Sequence, residues 1–338
     1  MKRRGVTVLL GALITALLSV GVFAAPIPYV VLGPGPTVNT LGQEDGKEVI
    51  QVSGRATSSS AGQLRLTTVG VQPNAKLLPA VIGWFADDEA VVPRELVYPP
   101  GKTEKDVEQD NAEDFEASQT SAETAALREL GYPVQVVVKS VDPGGPSDGR
   151  LRAGDVITTV DGQPVQTAAN LVDLIQGKPS GTRLNIGYTR SGAPATTTIT
   201  SAASNGGTPR IGVSIDQQQP HPFSIKINLG DIGGPSAGLM FALGIVDKLR
   251  PEDVTGGKVI AGTGTIDDAG GVGPIGGIPQ KLVAAKKADA DVFLVPAENC
   301  AEAVRNAQPD LPLIRVGTLD EALAALDALR SGGQPARC

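Results

Sequence analysis

The feature that most constrains this chain lies at its start. Met1-Lys2-Arg3-Arg4 is followed by an uncharged, mostly apolar run from Gly5 to Ala25. As a helix that run spans roughly 30 Å, about one bilayer hydrocarbon core. Its basic flank is of the kind that stays in the cytoplasm, so the chain after Ala25 is expected on the other side of the membrane. Two readings stay open: a retained single-pass anchor, and a signal peptide cleaved near Val22-Phe23-Ala24. The run is longer than the usual apolar core of a signal peptide, which favours the anchor and a cell-membrane location with the folded part extracytoplasmic.

Export decides how the two cysteines are read. Outside the cytoplasm disulfides persist, and Cys300 and Cys338 are the only intrachain pair available. A bridge would pin the C-terminal tail; the alternative is a buried Cys300 and a loose thiol at Cys338. The single histidine, His221, and only two cysteines exclude a multi-histidine metal site and the usual zinc clusters. No metal or cofactor is expected. With 19% charged residues and a net charge of -7 there is no large basic surface to neutralise phosphates, so nucleic acid is not an expected partner. Gly101-Lys102-Thr103 is not a phosphate loop, because that pattern needs a glycine where Leu96 stands. No nucleotide is expected either.

The 338 residues suffice for two or three domains with cores of their own. From Pro26 to about Pro100 the pattern predicts short strands, such as Glu48 to Val52 and Gln63 to Val69, and shows no chemistry. Glu104 to Leu130 predicts a helix stopped by Gly131. Beyond it comes a strand at Val134 to Val138, then Leu151-Arg152-Ala153-Gly154-Asp155-Val156-Ile157-Thr158-Thr159-Val160-Asp161-Gly162, with its Asp-Gly hairpin. A helix over Ala168 to Ile175 and a strand over Arg183 to Thr189 follow. These residues resemble the bacterial PDZ family over about Gly131 to Ala203. The resemblance implies a groove that adds a peptide tail to a strand edge. Its receiving loop would be Gly131-Tyr132-Pro133. A spacer that only positions the next domain is the other reading.

From Ile211 onward strands and helices alternate, as in an α/β or α+β domain. In Gly233-Gly234-Pro235-Ser236-Ala237-Gly238, glycines and a proline deliver a serine to the first turn of an apolar helix. A buried helix N-terminus offers unpaired N–H groups to an oxyanion forming beside that serine. Ser236 could equally serve as an ordinary helix cap. Its base would be Lys281, in Gly276-Gly277-Ile278-Pro279-Gln280-Lys281. There a cation sits in the first turn of a helix among small apolar residues, so its pKa should fall toward neutrality. The alternative is a lysine that reaches solvent.

Together the two motifs resemble the proteolytic domain of the Lon peptidase family, over about Ile211 to Ala325. The resemblance implies Ser236 as nucleophile, Lys281 as general base and Thr263 as the residue orienting the lysine. Gly234, Pro235 and Ala237 would form the supporting loop, and the substrates would be proteins or peptides. Taken as a strand threonine, Thr263 needs no such role. The sequence departs from the family in two ways. Gly233 stands where members often carry an aspartate, for which Asp231 is a weak substitute. The ATPase that usually precedes the domain is replaced by the anchor and the PDZ-like module. Related domains form rings, which leaves a hexamer open.

The expected layout is α+β and multidomain: anchor over 1–27, a β-rich region with a helix over 28–130, a PDZ-like domain over 131–204, a Lon-type domain over 209–330 and a tail over 331–338. The expected function is that of a membrane-anchored, ATP-independent serine endopeptidase with a Ser-Lys dyad. The alternative is a catalytically silent peptide-binding adaptor on the same two modules.

Overall fold

Alternating apolar residues near the N-terminus and apolar runs near the C-terminus build one sheet. The computed structural model describes residues 2–86, 88–204, 206–230 and 233–338. In chain order its main elements are α1 Lys2–Ala24, β1 Tyr29–Asn39, β2 Gln63–Gln72, α2 Leu77–Phe85, β3 Ala90–Pro93, α3 Glu104–Glu129, β4 Gln135–Val141, β5 Val156–Val160, α4 Ala168–Gln176, β6 Arg183–Arg190, β7 Ala193–Thr200 and β8 Val213–Gln218. There follow α5 Gly238–Leu249, β9 Val259–Gly262, α6 Ile278–Lys287, β10 Val292–Pro296, α7 Cys300–Arg305, β11 Leu313–Val316 and α8 Leu319–Arg330.

The chain forms two units, one of residues 1–52, 56–123 and 225–338 and one of 53–55 and 124–224. In the first, six strands run in the order β11-β10-β9-β2-β1-β3. β2, β9, β10 and β11 are mutually parallel, while β1 is antiparallel to both β2 and β3. The stretch over 28–130 is therefore not a region apart: three of its strands complete the sheet begun by residues beyond 259. β10 reads Val-Phe-Leu-Val-Pro and is buried at every position, as a parallel strand covered on both faces must be. All twelve residues of α5 are buried too, so that helix is apolar because it has no solvent face.

Cys300 and Cys338 form a disulfide, with Cα atoms 5.0 Å apart. The tail is also bonded along β11: Cys338 N–H donates to the Leu313 carbonyl at 3.1 Å and Arg315 N–H to that of Ala336 at 3.0 Å. The bridge closes a long loop, worth about 3 to 4 kcal/mol by loop entropy.

The second unit holds an antiparallel sheet in the order β7-β6-β5-β4-β8, with α4 against it. Leu151, Ile157, Val160, Leu171, Leu184, Ile186 and Ile199 form its core. Asp155, from the Ala-Gly-Asp-Val-Ile stretch, is buried and receives both Arg190 Nε and Nη2 at 2.7 Å. The paired guanidinium holds its carboxyl below the usual aspartate range.

Among the described residues no helix is long and apolar enough to cross a membrane. The anchor expectation over 1–27 falls partly outside the described residues: Met1 altogether, and the side chains of residues 2–5, 18–20 and 22–24.

Candidate active site

Two helix beginnings converge on one cavity. At the first, Pro235–Ala237 form a 3-10 turn that leads into α5, so Ser236 sits just ahead of the α-helix rather than in its first turn. At the second, Gly277 takes a left-handed φ of 74° as the cap of α6, and Lys281 N–H closes that helix's first turn on the Gly277 carbonyl at 3.0 Å. Left-handed backbone at this cap is what the second glycine of Gly276-Gly277 supplies.

Lys281 is only 2% exposed. Its Nζ donates to Ser236 Oγ at 2.8 Å and to Thr263 Oγ1 at 2.9 Å. Thr263 in turn donates its one hydroxyl proton to the Ser236 carbonyl at 3.0 Å. The threonine oxygen can then only accept from the amine. An amine hydrogen is thereby directed at Thr263, and a lone pair, once the amine is neutral, is left to face Ser236. Burial pushes the Lys281 pKa down to about 7 from an ordinary 10.5, because desolvation disfavours the ammonium. Lys248 shows the other solution for a buried lysine: its Nζ meets the Glu48 carboxylate at 2.9 Å.

The cavity beside the pair has a volume of about 440 Å³ and is lined by Ser236, Lys281, Gly234 and Gly276 and, from β2, by Thr67 and Thr68. Sequence reasoning missed the β2 wall, because Leu66-Thr67-Thr68-Val69 reads as any half-buried strand. α3 forms a further support. The Gly234 N–H donates to the Asn111 carbonyl at 2.8 Å, and Ser118 Oγ donates to the Pro235 carbonyl at 3.0 Å. A Cβ at Gly233 would stand 2.9 Å from the Asn111 Cβ. The space that a larger residue at 233 would need is therefore taken by α3. Gly234, expected in the supporting loop, has its N–H committed to the Asn111 carbonyl and so is not an oxyanion donor. Asp231 lies outside the described residues.

The second unit corrects the expected peptide-receiving loop. Gly131 ends α3, with Tyr132 N–H bonded back to the Leu127 carbonyl at 2.8 Å, and Tyr132 stacks edge-on against Phe223. Gly131 and Pro133 line a separate hollow. The strand after them, β4, has β5 on one side and β8 on the other, so it has no edge to offer. The strand that ends the sheet on this side is β8. Between it and α4 runs a groove of about 180 Å³ lined by Leu171, Val172 and Ile175 and by Ile211, Val213 and Ile215. Gly212, with φ 73°, turns the chain at the head of the groove. Successive N–H groups at such a turn make a concavity suited to a carboxylate. The available signal was Arg210-Ile211-Gly212-Val213, a glycine between apolar residues directly before an alternating strand.

Comparison with known proteins matches two stretches of the chain. Residues 107–200 match the PDZ domain family, and residues 202–327 match the family described as the Lon protease (S16) C-terminal proteolytic domain. Lon protease 1 of Sorangium cellulosum is 37% identical over 126 residues, 36% of this chain and 15% of that protein. Lon protease 2 of Bacillus subtilis is 36% identical over 108 residues, 31% of this chain and 19% of that protein. The chain thus spans less than a fifth of either relative's length. Among solved structures, the PDZ domain of the SdrC-like protein from Listeria monocytogenes is 32% identical, covering 24% of this chain and 85% of its own, with a TM-score of 0.23. The chain carries, after a PDZ domain, the proteolytic domain of the serine-type Lon peptidases.

Proposed function

We propose that the chain is a membrane-anchored, ATP-independent serine endopeptidase that cuts unfolded or tail-exposed proteins outside the cytoplasm. The observation that carries this reading is the buried amine within 2.8 Å of a serine hydroxyl, with a pKa pushed down to about 7. Neutral Lys281 takes the Ser236 proton as Oγ attacks the scissile carbonyl. The tetrahedral oxyanion forms beside the Ser236 amide, the Gly234 amide being engaged by Asn111. The Lys281 ammonium then protonates the leaving amine, which departs and leaves an acyl group on Ser236. Water, deprotonated by the same amine, attacks the ester and restores the serine.

Independence from ATP is supported by a dyad that stands assembled in this chain by itself. The disulfide between Cys300 and Cys338 favours an oxidising compartment. Anchoring is supported by the basic flank, the apolar run and the 23-residue length of α1, about 34 Å of helix. In the PDZ domain, the groove between α4 and β8 is the place for a peptide tail, which would extend the sheet along β8. Cleavage of an unfolded protein by the wild type, Ser236→Ala and Lys281→Met chains tests the dyad. Each variant is expected to lose about a thousandfold or more in kcat/KM; undiminished cleavage by either removes the dyad.

A further inference from the structure

α2, Leu77–Phe85, is built inside out. The residues it turns toward the protein are its small ones, Ala80 and Gly83, both buried. A Cβ at Gly83 would stand 3.3 Å from Val31 Cγ1 and 2.6 Å from Glu89 Oε2, so nothing larger fits on that side. Its large residues face away: Ile82 is 60% exposed, Trp84 68% and Phe85 83%, with Leu78 and Val81 exposed beside them. A helix in water is expected to show the reverse. Leu77–Phe85 contains no charged residue.

What covers this face is indicated by where α2 begins. Leu77 N–H donates to the Ala25 carbonyl and Ile27 N–H to the Ala75 carbonyl, each at 3.2 Å, and Pro26 bridges to Lys76. The backbone thus ties the start of α2 to Ala25, the last residue of the apolar run that makes α1. The described side chains of that run, residues 6–17, are exposed as well. Both apolar surfaces therefore meet at one level, the level at which α1 would leave a bilayer. An exposed Lys76 stands ahead of α2 at that level, and Asp88, shortly after it, is paired with Lys287 at 2.8 Å.

We propose that α2 lies in the headgroup region of a phospholipid bilayer, with Ile82, Trp84 and Phe85 inserted and Lys76 among the phosphates. Tryptophan and phenylalanine at a membrane surface with a nearby cation are the chemistry such a position selects. The proposal rests on α1 being a membrane anchor, and its effect would be to hold the proteolytic unit against the membrane rather than leave it on a free tether.

Trp84 is the only tryptophan, so its fluorescence reports on this helix alone. The full chain would be reconstituted into vesicles of phosphatidylcholine and phosphatidylglycerol, and flotation would show whether it is anchored. In floated protein, Trp84 emission is expected to shift to the blue and to be quenched more by lipids brominated near the headgroup than by lipids brominated at the chain ends. Ile82→Ser with Phe85→Ser keeps the reporter and should reduce the quenching without loss of flotation. A chain that floats with Trp84 unquenched by either lipid, whether open to acrylamide or shielded by a second copy, overturns the proposal and leaves the anchor standing. Failure to float overturns both.

Discussion

The proteolytic domain and the PDZ domain engage polypeptide, on the reading above, through opposite kinds of surface. In the first, the base is withdrawn from water: Lys281 is 2% exposed and its partners are two hydroxyls. In the second, the working part is backbone, the outer edge of β8 beside an apolar wall of α4. Burial drives the chemistry in one place, because it makes the amine a base near neutrality. In the other, an uncovered edge is the whole resource, because a peptide can be added only where a strand lacks a neighbour. One site should fail through single atoms and the other through shape.

The largest effect expected from that contrast is the loss of cleavage in Ser236→Ala and Lys281→Met. Next comes the scaffold of the buried site. Cys300→Ser with Cys338→Ser should lower the stability of the proteolytic unit by about 3 to 4 kcal/mol, read by denaturant unfolding, with no change in the PDZ unit's own transition. Equal destabilisation of both units would break the picture of two separately held sites. Thr263→Val removes the acceptor that orients the amine while keeping the side chain's shape. It should lower kcat by about 10- to 100-fold with little change in KM, and Thr263→Ser should restore it. The smallest effect belongs to the groove. Val172→Glu places a charge on its half-exposed wall and should weaken binding of a C-terminal peptide about tenfold, measured by titration calorimetry. Cleavage of a substrate without a free tail should be unchanged; a fall in both would mean that the two surfaces are not separable.

The same contrast explains what could be read from the residues. Ser236 and Lys281 stand out because a proline and paired glycines place each at a helix beginning, and the structure brings them to 2.8 Å. The β-rich start looks separate in the sequence because strand pairing across two hundred residues leaves no local mark; β2 pairs with β9 through contacts such as Leu64 with Ile260. Gly233 shows its reason only once Asn111 of α3 is seen against it. The PDZ loop was misplaced because an edge is a property of strand order: Gly131 precedes a strand, but β8 closes off that strand's free side. α2 escaped notice because a helix with its large residues outward gives no inward periodicity to find.

The central claim is an uncharged Lys281 acting on Ser236, and the pH dependence of Ser236 acylation tests it most directly. The folded pKa of about 7 lies below the ordinary 10.5, so the neutral, reactive fraction grows as pH rises through 7. The rate at which a serine-directed phosphonate labels the intact chain, followed by mass, should therefore rise through one ionisation near pH 7 and then level off, and labelling should be lost in Lys281→Met. A rate that is flat across neutrality, or one that climbs only near the ordinary lysine pKa, would contradict the account.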